Sequence, residues 1–199
     1  VPVFSWIFLG GKCRNCKEKI SARYPIVESL NAVLWTLSAY FIGLNANAFI
    51  YDALFSALIV MTFIDIDTKE IPNGIVVFII ILSIPLFFTA KDVVWGHRLV
   101  GAVVISVPLY VIALVTGGIG GGDIKLYFAL GLVLGLYPTL VSAFIAIVSA
   151  GLIGGVLLLT KKVRKGYELP LGPFIALGAV VTVFAGTPII DGIKNLFGI

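Results

Sequence analysis

Charged side chains are scarce in this chain of 199 residues. Asp, Glu, Lys and Arg make up 12% of it, whereas 60% is hydrophobic. Soluble domains usually carry about 25% charged residues, so this composition, with a mean hydropathy of +1.13, excludes an ordinary soluble globule. The net charge of +4 does not indicate nucleic-acid binding, because the basic residues are grouped in a few loops. We therefore predict an all-α, polytopic membrane protein.

Residues suited to metal or thiol chemistry are also few. The chain has one histidine, His97, and two cysteines, Cys13 and Cys16, which are close together in the sequence CRNC. A structural zinc ion takes four ligands, and no further cysteine or histidine here can complete such a set with the pair. A disulfide within the pair is a poor staple for a protein that is held by lipid and helix packing.

Long apolar runs make up most of the remaining sequence. Runs of about 20 apolar residues indicate spanning helices, and shorter runs can span where neighbouring helices shelter them. We predict a membrane helix bundle of about seven spans, preceded by a small polar segment at 1–26. The spans are expected at 27–44, 49–66, 73–89, 98–116, 124–137, 139–160 and 172–185.

The basic residues are distributed unequally between the two sides of this bundle. One side holds Lys12, Arg14, Lys17, Lys19, Arg23, Lys69, Lys161, Lys162, Arg164 and Lys165, and the other holds Lys91, Arg98 and Lys194. Positive residues concentrate in cytoplasmic loops. We therefore expect the richer side, with the segment 1–26, to face the cytoplasm.

Two aspartates fall on that same side although they are distant in sequence. Asp65 ends the second predicted span, and Asp123 follows the glycine-rich sequence GGIGGG at 117–122. A carboxylate at membrane depth costs several kcal/mol, and each glycine weakens a helix by up to about 1 kcal/mol. Two adjacent carboxylates share a proton and can activate water against a peptide carbonyl. The glycines would let backbone or substrate approach Asp123 closely.

Each feature also has a structural interpretation. Asp123 could be an N-cap at a helix break, and Asp65 could belong to a charged helix end in the headgroup region. A serine–histidine site is not favoured, because His97 lies on the opposite face. The coincidence of both aspartates at one membrane depth favours an aspartic peptidase.

Four segments together resemble the type IV prepilin peptidases, which are membrane aspartyl proteases of the Gly-x-Gly-Asp type. They are GKCRNCKEKISARYPIVE at 11–28, FIDIDTKEIPN at 63–73, GGIGGGDIK at 117–125 and LPLGPF at 169–174. The segments occur in the order of that family and extend over nearly the whole chain. The last is expected to pack a helix start against the catalytic core.

The resemblance implies that Asp65 and Asp123 are the catalytic pair. It implies cleavage of the leader of type IV prepilins or pseudopilins at the cytoplasmic face of the inner membrane, with the substrate's apolar helix in the lipid beside the enzyme. The residues expected to bind substrate or support the pair are Gly120, Gly122, Asp67, Glu70, Lys125 and Pro72. Residues 27–199 would form the peptidase domain.

Bacterial members of that family are often bifunctional and methylate the new N-terminus with S-adenosylmethionine. Their cytoplasmic insert usually has two Cys-x-x-Cys pairs that bind zinc and follows a first helix. Because only Cys13 and Cys16 are present, we expect 1–26 to be the remnant of that insert. Zinc and S-adenosylmethionine are therefore expected only in a full-length protein, where Glu28 is a weak candidate for the methyl-transfer site. Proteolysis itself is expected to need no cofactor.

Two other classes of membrane protein also use aspartates in their helices. Presenilin-type proteases pair a Tyr-Asp with Gly-x-Gly-Asp, and Tyr51-Asp52 matches, but it is expected at the outer end of its helix, about 30 Å from Asp123. The second is an ion-coupled transporter that uses intramembrane aspartates. No second glycine-rich break matches 117–122, as an internal repeat would require.

Further glycines are expected to let helices pack closely. They are Gly131, Gly135, Gly151, Gly154 and Gly155.

Overall fold

The described part of the protein is all-helical, as the sequence predicts. A computed structural model describes residues 2–90, 93–161 and 169–197. The helices in these ranges are α1 (Pro2–Phe8), α2 (Arg23–Phe41), α3 (Ala46–Thr68), α4 (Asn73–Thr89), α5 (Trp95–Thr116), α6 (Gly121–Leu134), α7 (Leu136–Leu159) and α8 (Gly172–Phe197). The seven predicted spans coincide with α2 to α8. The short α1 was not predicted, and α8 continues well beyond its predicted end.

Four of these helices are long and apolar enough to cross a membrane. They are α3, α5, α7 and the part of α8 from Gly172 to Gly192, and α4 is a shorter apolar helix. The 14 residues of α6 extend only about 21 Å at 1.5 Å per residue, which is less than a hydrocarbon core of about 30 Å. A multi-pass membrane protein is confirmed, while the number of seven spans stays a prediction.

The chain divides into two compact units, residues 1–60 and 61–199. In the first unit, a turn follows α1 and is tied back to it, because the indole Nε1 of Trp6 donates to the carbonyl of Ile20 at 3.0 Å. Polar side chains join α2 to α3. Ser56 Oγ donates to Asn31 Oδ1 at 2.9 Å and accepts from Trp35 Nε1 at 3.3 Å.

In the second unit, α5 and α6 are in direct backbone contact. A Cβ atom added at Gly131 would overlap the carbonyl of Gly101, and one added at Gly101 would lie 2.6 Å from the carbonyl carbon of Gly135. In the same way, a Cβ atom at Gly178 of α8 would overlap the carbonyl of Ser142 of α7. Small residues at helix contacts permit this approach, so the prediction for Gly131 and Gly135 is confirmed.

The same prediction was wrong for the other three glycines. No described atom lies within 4 Å of a Cβ built at Gly151 or Gly155. A Cβ at Gly154 would make an ordinary contact of 3.7 Å with Leu169. No helix among the described residues comes close to the backbone of α7 at these positions. Nothing in sequence spacing alone distinguishes them from Gly131.

Arg98 corrects the charge count made from the sequence. It was counted on the less basic side, at the start of the predicted span 98–116, and in the structure it belongs to the first turn of α5 with a side chain that is only 1% exposed. Its Nη1 donates to the carbonyls of Leu132 and Val133, and its guanidinium lies 5.7 Å from the ring centroid of Phe87. Arg98 therefore pairs with carbonyls that would lack partners at the end of α6.

Candidate active site

The glycine-rich segment is a tight connection between α5 and α6. Helix α5 ends at Thr116, and Gly117 follows as its C-cap with a φ of +64°, in the left-handed region that favours glycine. Helix α6 begins at Gly121, so Asp123 lies within its first turn. The predicted start at 124 was therefore wrong by three residues. The interpretation of Asp123 as an N-cap was also wrong, because Gly120 occupies that position. An acidic side chain in a first turn interacts favourably with the helix dipole.

Asp65 lies in the last turn of α3 and is held by the backbone of another helix. Its side chain is 4% exposed. The backbone N–H of Gly172, the first residue of α8, donates to Asp65 Oδ2 at 2.8 Å. This contact joins the end of α3 to the start of α8. It matches the expectation that the segment 169–174 packs against the core of the site.

The second unit brings Asp65 and Asp123 together. The two carboxylates are close enough for direct electrostatic interaction. Both also lie near the start of α8. Gly172 donates to Asp65, while its neighbours Leu171 and Phe174 line a small cavity together with Asp123. Three helices, α3, α6 and α8, thus converge on one pair of acids.

Three glycines allow the close packing around this pair. A Cβ at Gly172 would lie 2.7 Å from Asp65 Oδ2, and one at Gly120 would lie 3.2 Å from Asp123 Oδ2. At Gly122 a Cβ would lie 2.9 Å from Cβ of Ile71, which follows α3. Any larger residue at Gly172 or Gly122 would force a neighbour to move. Gly120 and Gly122 were predicted site residues, whereas Gly172 was not singled out.

Two other predicted residues lie near the starts of α6 and α4. Lys125 Nζ donates to Asn73 Oδ1 at 3.1 Å, which joins α6 to the first residue of α4. Pro72 is the N-cap residue of α4. Asp67, in the last turn of α3, and Glu70, in the turn that follows, are exposed. The expected roles of these four residues in substrate binding stay predictions.

Tyr127 is a residue that the sequence reasoning missed. It lies one helical turn after Asp123 on α6, is buried, and interacts electrostatically with Asp123. Both side chains line the same cavity. The spacing of i and i+4, which places two side chains on one helix face, is a signal that could have found it.

The cysteine pair lies in the turn after α1. An isolated bridge joins Lys12 to Lys19, and Cys13 N–H donates to the carbonyl of Glu18 at 2.8 Å. The backbone N–H groups of Cys16 and Asn15 lower the pKa of the Cys13 thiol. Two thiols suit zinc, but no group of three or more His, Cys, Asp or Glu side chains is placed to hold a metal in the ranges that the structure describes. These residues alone do not fit a closed zinc site.

The alternative aspartate and the candidate methyl-transfer residue lie elsewhere. Asp52 is buried and lies in the part of α3 that belongs to the first compact unit, whereas Asp65 and Asp123 belong to the second. Glu28 is in α2, and its Oε2 is buried without a hydrogen-bond partner among the described residues. Nothing in the structure links Glu28 to methyl transfer, and that role stays a prediction.

The fold and the site together define a class of protein: a multi-pass helical membrane protein with two neighbouring aspartates, one of which follows a glycine-rich connection. The chain belongs to the type IV leader peptidase family. The profile of that family matches residues 53–155, and the profile of the bacterial peptidase A24 N-terminal domain matches residues 1–42.

Similar proteins carry the name prepilin leader peptidase/N-methyltransferase. The protein from Bacillus subtilis is 34% identical over 193 residues, which cover 96% of this chain and 77% of that protein. For Stutzerimonas stutzeri the identity is 33%, over 95% of this chain and 68% of the relative. For Burkholderia pseudomallei it is 34%, over 94% and 63%. No solved structure matches the chain.

These matches confirm the resemblance that the four sequence segments indicated, and with it the prediction of a peptidase. They give no support to the ion-coupled transporter.

Proposed function

We propose that Asp65 and Asp123 are the catalytic pair with which this chain cleaves the leader of type IV prepilins or pseudopilins. The observation that carries the proposal is the proximity of the two carboxylates, which interact electrostatically and both lie near the start of α8. The names of the relatives support the choice of substrate.

The chemistry follows from two acids that share one proton. The ionised member takes a proton from a water molecule, which attacks the scissile carbonyl. The protonated member donates to the carbonyl oxygen as it becomes an oxyanion. The two groups titrate as a pair, so the roles are assigned to the pair and not to one residue. The Gly172 N–H holds Asp65 in place, and the tight turn at Gly117 places Asp123 on α6.

We further propose that the site faces the cytoplasm in the inner membrane. The positive-inside rule supports this orientation. Lys69 directly follows α3, at the end that carries Asp65. Lys12, Lys17 and Lys19 lie in the polar turn after α1. The basic residues at 162, 164 and 165, which contributed to the prediction, lie outside the described residues.

The substrate would be bound from two directions. Its basic leader would approach the exposed acids Asp67 and Glu70, and its apolar helix would stay in the lipid next to the bundle. Membrane lipid is thus a second partner. Methyl transfer is named for the relatives, but no contact among the described residues supports it here. Cleavage is proposed to need no cofactor.

The proposal is tested by comparing prepilin cleavage by wild type, Asp65→Asn and Asp123→Asn in liposomes. Loss of a positioned general acid or base typically lowers rates by roughly 10²–10⁴-fold, and we expect at least that loss for each variant with an unchanged thermal midpoint. Asp191→Asn, which alters an exposed aspartate of α8, is the matched control and should cleave normally. Normal cleavage by a folded Asp65→Asn or Asp123→Asn protein would refute the assignment.

A further inference from the structure

An open groove runs along the surface of the second unit between α4, α5 and α6. Its volume is about 530 Å³, within the range of roughly 300–1,000 Å³ that is usual for small-molecule sites. One wall is a single face of α4, from Asn73 to Ile80. At 1.5 Å per residue this wall is about 10 Å long. The groove thus extends through most of the roughly 15 Å of hydrocarbon in one leaflet of a bilayer.

The groove has apolar walls and a closed floor. Val77 of α4 and Val107 of α5 line it and are each 52% exposed, so the space between them opens outwards. Val76 and Ser106 line it too, but each is only 6% exposed. The hydroxyl of Ser106 donates to the carbonyl of Ala102 within its own helix. The floor therefore has no polar group directed at a ligand.

The polar groups of the groove are gathered at one end. Lys125 Nζ donates to Asn73 Oδ1 at 3.1 Å, and both residues are exposed. An ammonium group has three donors, so this bond leaves two for a ligand, and the Asn73 amide nitrogen is a further donor. No acidic residue is among the described residues of the lining. This end of the groove is therefore positively charged and suits an anion.

The groove lies on the opposite face of α6 from the proposed catalytic carboxylate. Ile124, Lys125 and Phe128 line the groove, whereas Asp123 lines a separate cavity with Tyr127. At 3.6 residues per turn, the three groove residues lie about 100°, 200° and 140° around the helix from Asp123. A peptide bond held in the groove would thus be on the wrong side of α6 for attack.

We propose that this groove binds one anionic phospholipid. An acyl chain lies along the wall formed by α4, and the phosphate group accepts hydrogen bonds from Lys125 and Asn73. The inference goes beyond the proposed function, because it assigns a ligand to a face of the bundle that the aspartate pair does not use.

The two parts of the groove select the two parts of the ligand. An apolar groove in the hydrocarbon region gains nothing from water, and if it stayed empty its walls would lose their dispersion contacts. An acyl chain restores those contacts. The lysine at the mouth then discriminates between headgroups, because a lysine near an anionic membrane surface typically contributes an attraction equivalent to about fivefold in affinity.

The experiment is native mass spectrometry of the protein in a nonionic detergent. Dioleoyl phosphatidylglycerol and dioleoyl phosphatidylcholine are titrated separately, so that the acyl chains are the same and only the headgroup charge differs. Wild type should retain one molecule of phosphatidylglycerol with an apparent Kd at least about fivefold lower than that for phosphatidylcholine. Equal Kd values for the two lipids would overturn the proposal.

The headgroup contact is tested by Lys125→Gln, which should reduce the preference for phosphatidylglycerol about fivefold. Lys125→Arg keeps the charge and should retain most of the preference. Lys161→Gln is the matched control, because it removes the same charge from an exposed lysine that follows α7 and does not line the groove. A loss of preference as large in Lys161→Gln as in Lys125→Gln would show a general effect of charge and overturn the site.

The acyl-chain contact is tested by Val77→Trp, which fills the groove and should weaken the binding of both lipids. Ile81→Trp is the control on the same helix, because Ile81 is 55% exposed and does not line the groove. If Val77→Trp does not fold, Val107→Trp fills the groove from α5. Unchanged lipid binding by a folded groove-filling variant would refute the assignment.

The substrate's apolar helix is the competing occupant. Prepilin is therefore added to the lipid-bound wild type, and the same spectra show whether the lipid stays. We expect it to remain bound, and its displacement mole for mole by prepilin would assign the groove to the substrate instead. Because the readout is lipid binding, failure of this inference leaves the cleavage test of Asp65 and Asp123 unaffected.

Discussion

The backbone N–H of Gly172 donates to Asp65 Oδ2 at 2.8 Å, and a Cβ atom at Gly172 would lie 2.7 Å from the same oxygen. The first residue of α8 thus both binds one proposed catalytic carboxylate and leaves no space for a side chain beside it. The position of Asp65 depends on a residue that is distant in sequence.

Gly172→Ala should therefore reduce cleavage more than it reduces stability. The added methyl group pushes Asp65 or the start of α8 aside, and a displacement of about 1 Å can cost about 100-fold in rate. We expect a loss of at least tenfold in kcat, measured with a prepilin in liposomes. Gly192→Ala is the control on the same helix, because a Cβ there meets nothing within 4 Å among the described atoms. Equal activity of the two variants would contradict the prediction.

Gly131→Ala should destabilise the bundle, because the new Cβ would overlap the Gly101 carbonyl of α5. Overpacking of this kind typically costs about 1–3 kcal/mol, so the thermal midpoint in detergent should fall clearly. Gly151→Ala tests the same chemical change on α7, where no described atom lies within 4 Å of the added Cβ. It should leave the midpoint unchanged or raise it slightly, since alanine favours helix over glycine by up to about 1 kcal/mol.

Arg98→Met should also lower stability, because the carbonyls of Leu132 and Val133 lose a buried donor. Hydrogen bonds to charged groups contribute about 1.5–3 kcal/mol each, and we expect a loss of that order in the free energy of unfolding. Arg98→Lys should recover part of it, because it keeps the charge but not the planar guanidinium. Thermal unfolding in detergent measures both effects. Cleavage per folded molecule should stay normal, since Arg98 contacts the opposite end of α6 from Asp123. A specific loss of cleavage would show a different role.

Cys13 should react with iodoacetamide at a lower pH than an unstructured cysteine. The N–H groups of Cys16 and Asn15 lower the pKa of its thiol. A lowered pKa means that the reactive thiolate forms earlier as the pH rises. Mass spectrometry of the labelled Cys13 peptide across a pH series should give a midpoint below that of the same peptide in denaturant. Identical midpoints would show that the turn does not hold the thiolate. The measurement needs no metal and no prepilin.

The apolar runs predicted the helices well because membrane spans need long apolar segments, which are visible in sequence. Their ends were less accurate. The start of α6 at Gly121 was missed because a glycine-rich sequence is weak in helix propensity. The count of Lys and Arg included Arg98 among the charges of the less basic side, since sequence alone does not show that a charge is buried against helix carbonyls.

The sequence by itself determined the class of protein, and it singled out Asp65 and Asp123 as the proposed catalytic pair. Charge is scarce, acids near membrane depth are costly, and Asp65 and Asp123 fall on one side once the spans are counted. Only the tertiary structure decided which groups surround them. The Gly172 N–H reaches Asp65 through packing between helices, and the same packing buries Tyr127. That packing depends on which faces meet, and sequence periodicity does not specify this when every face of a helix is apolar.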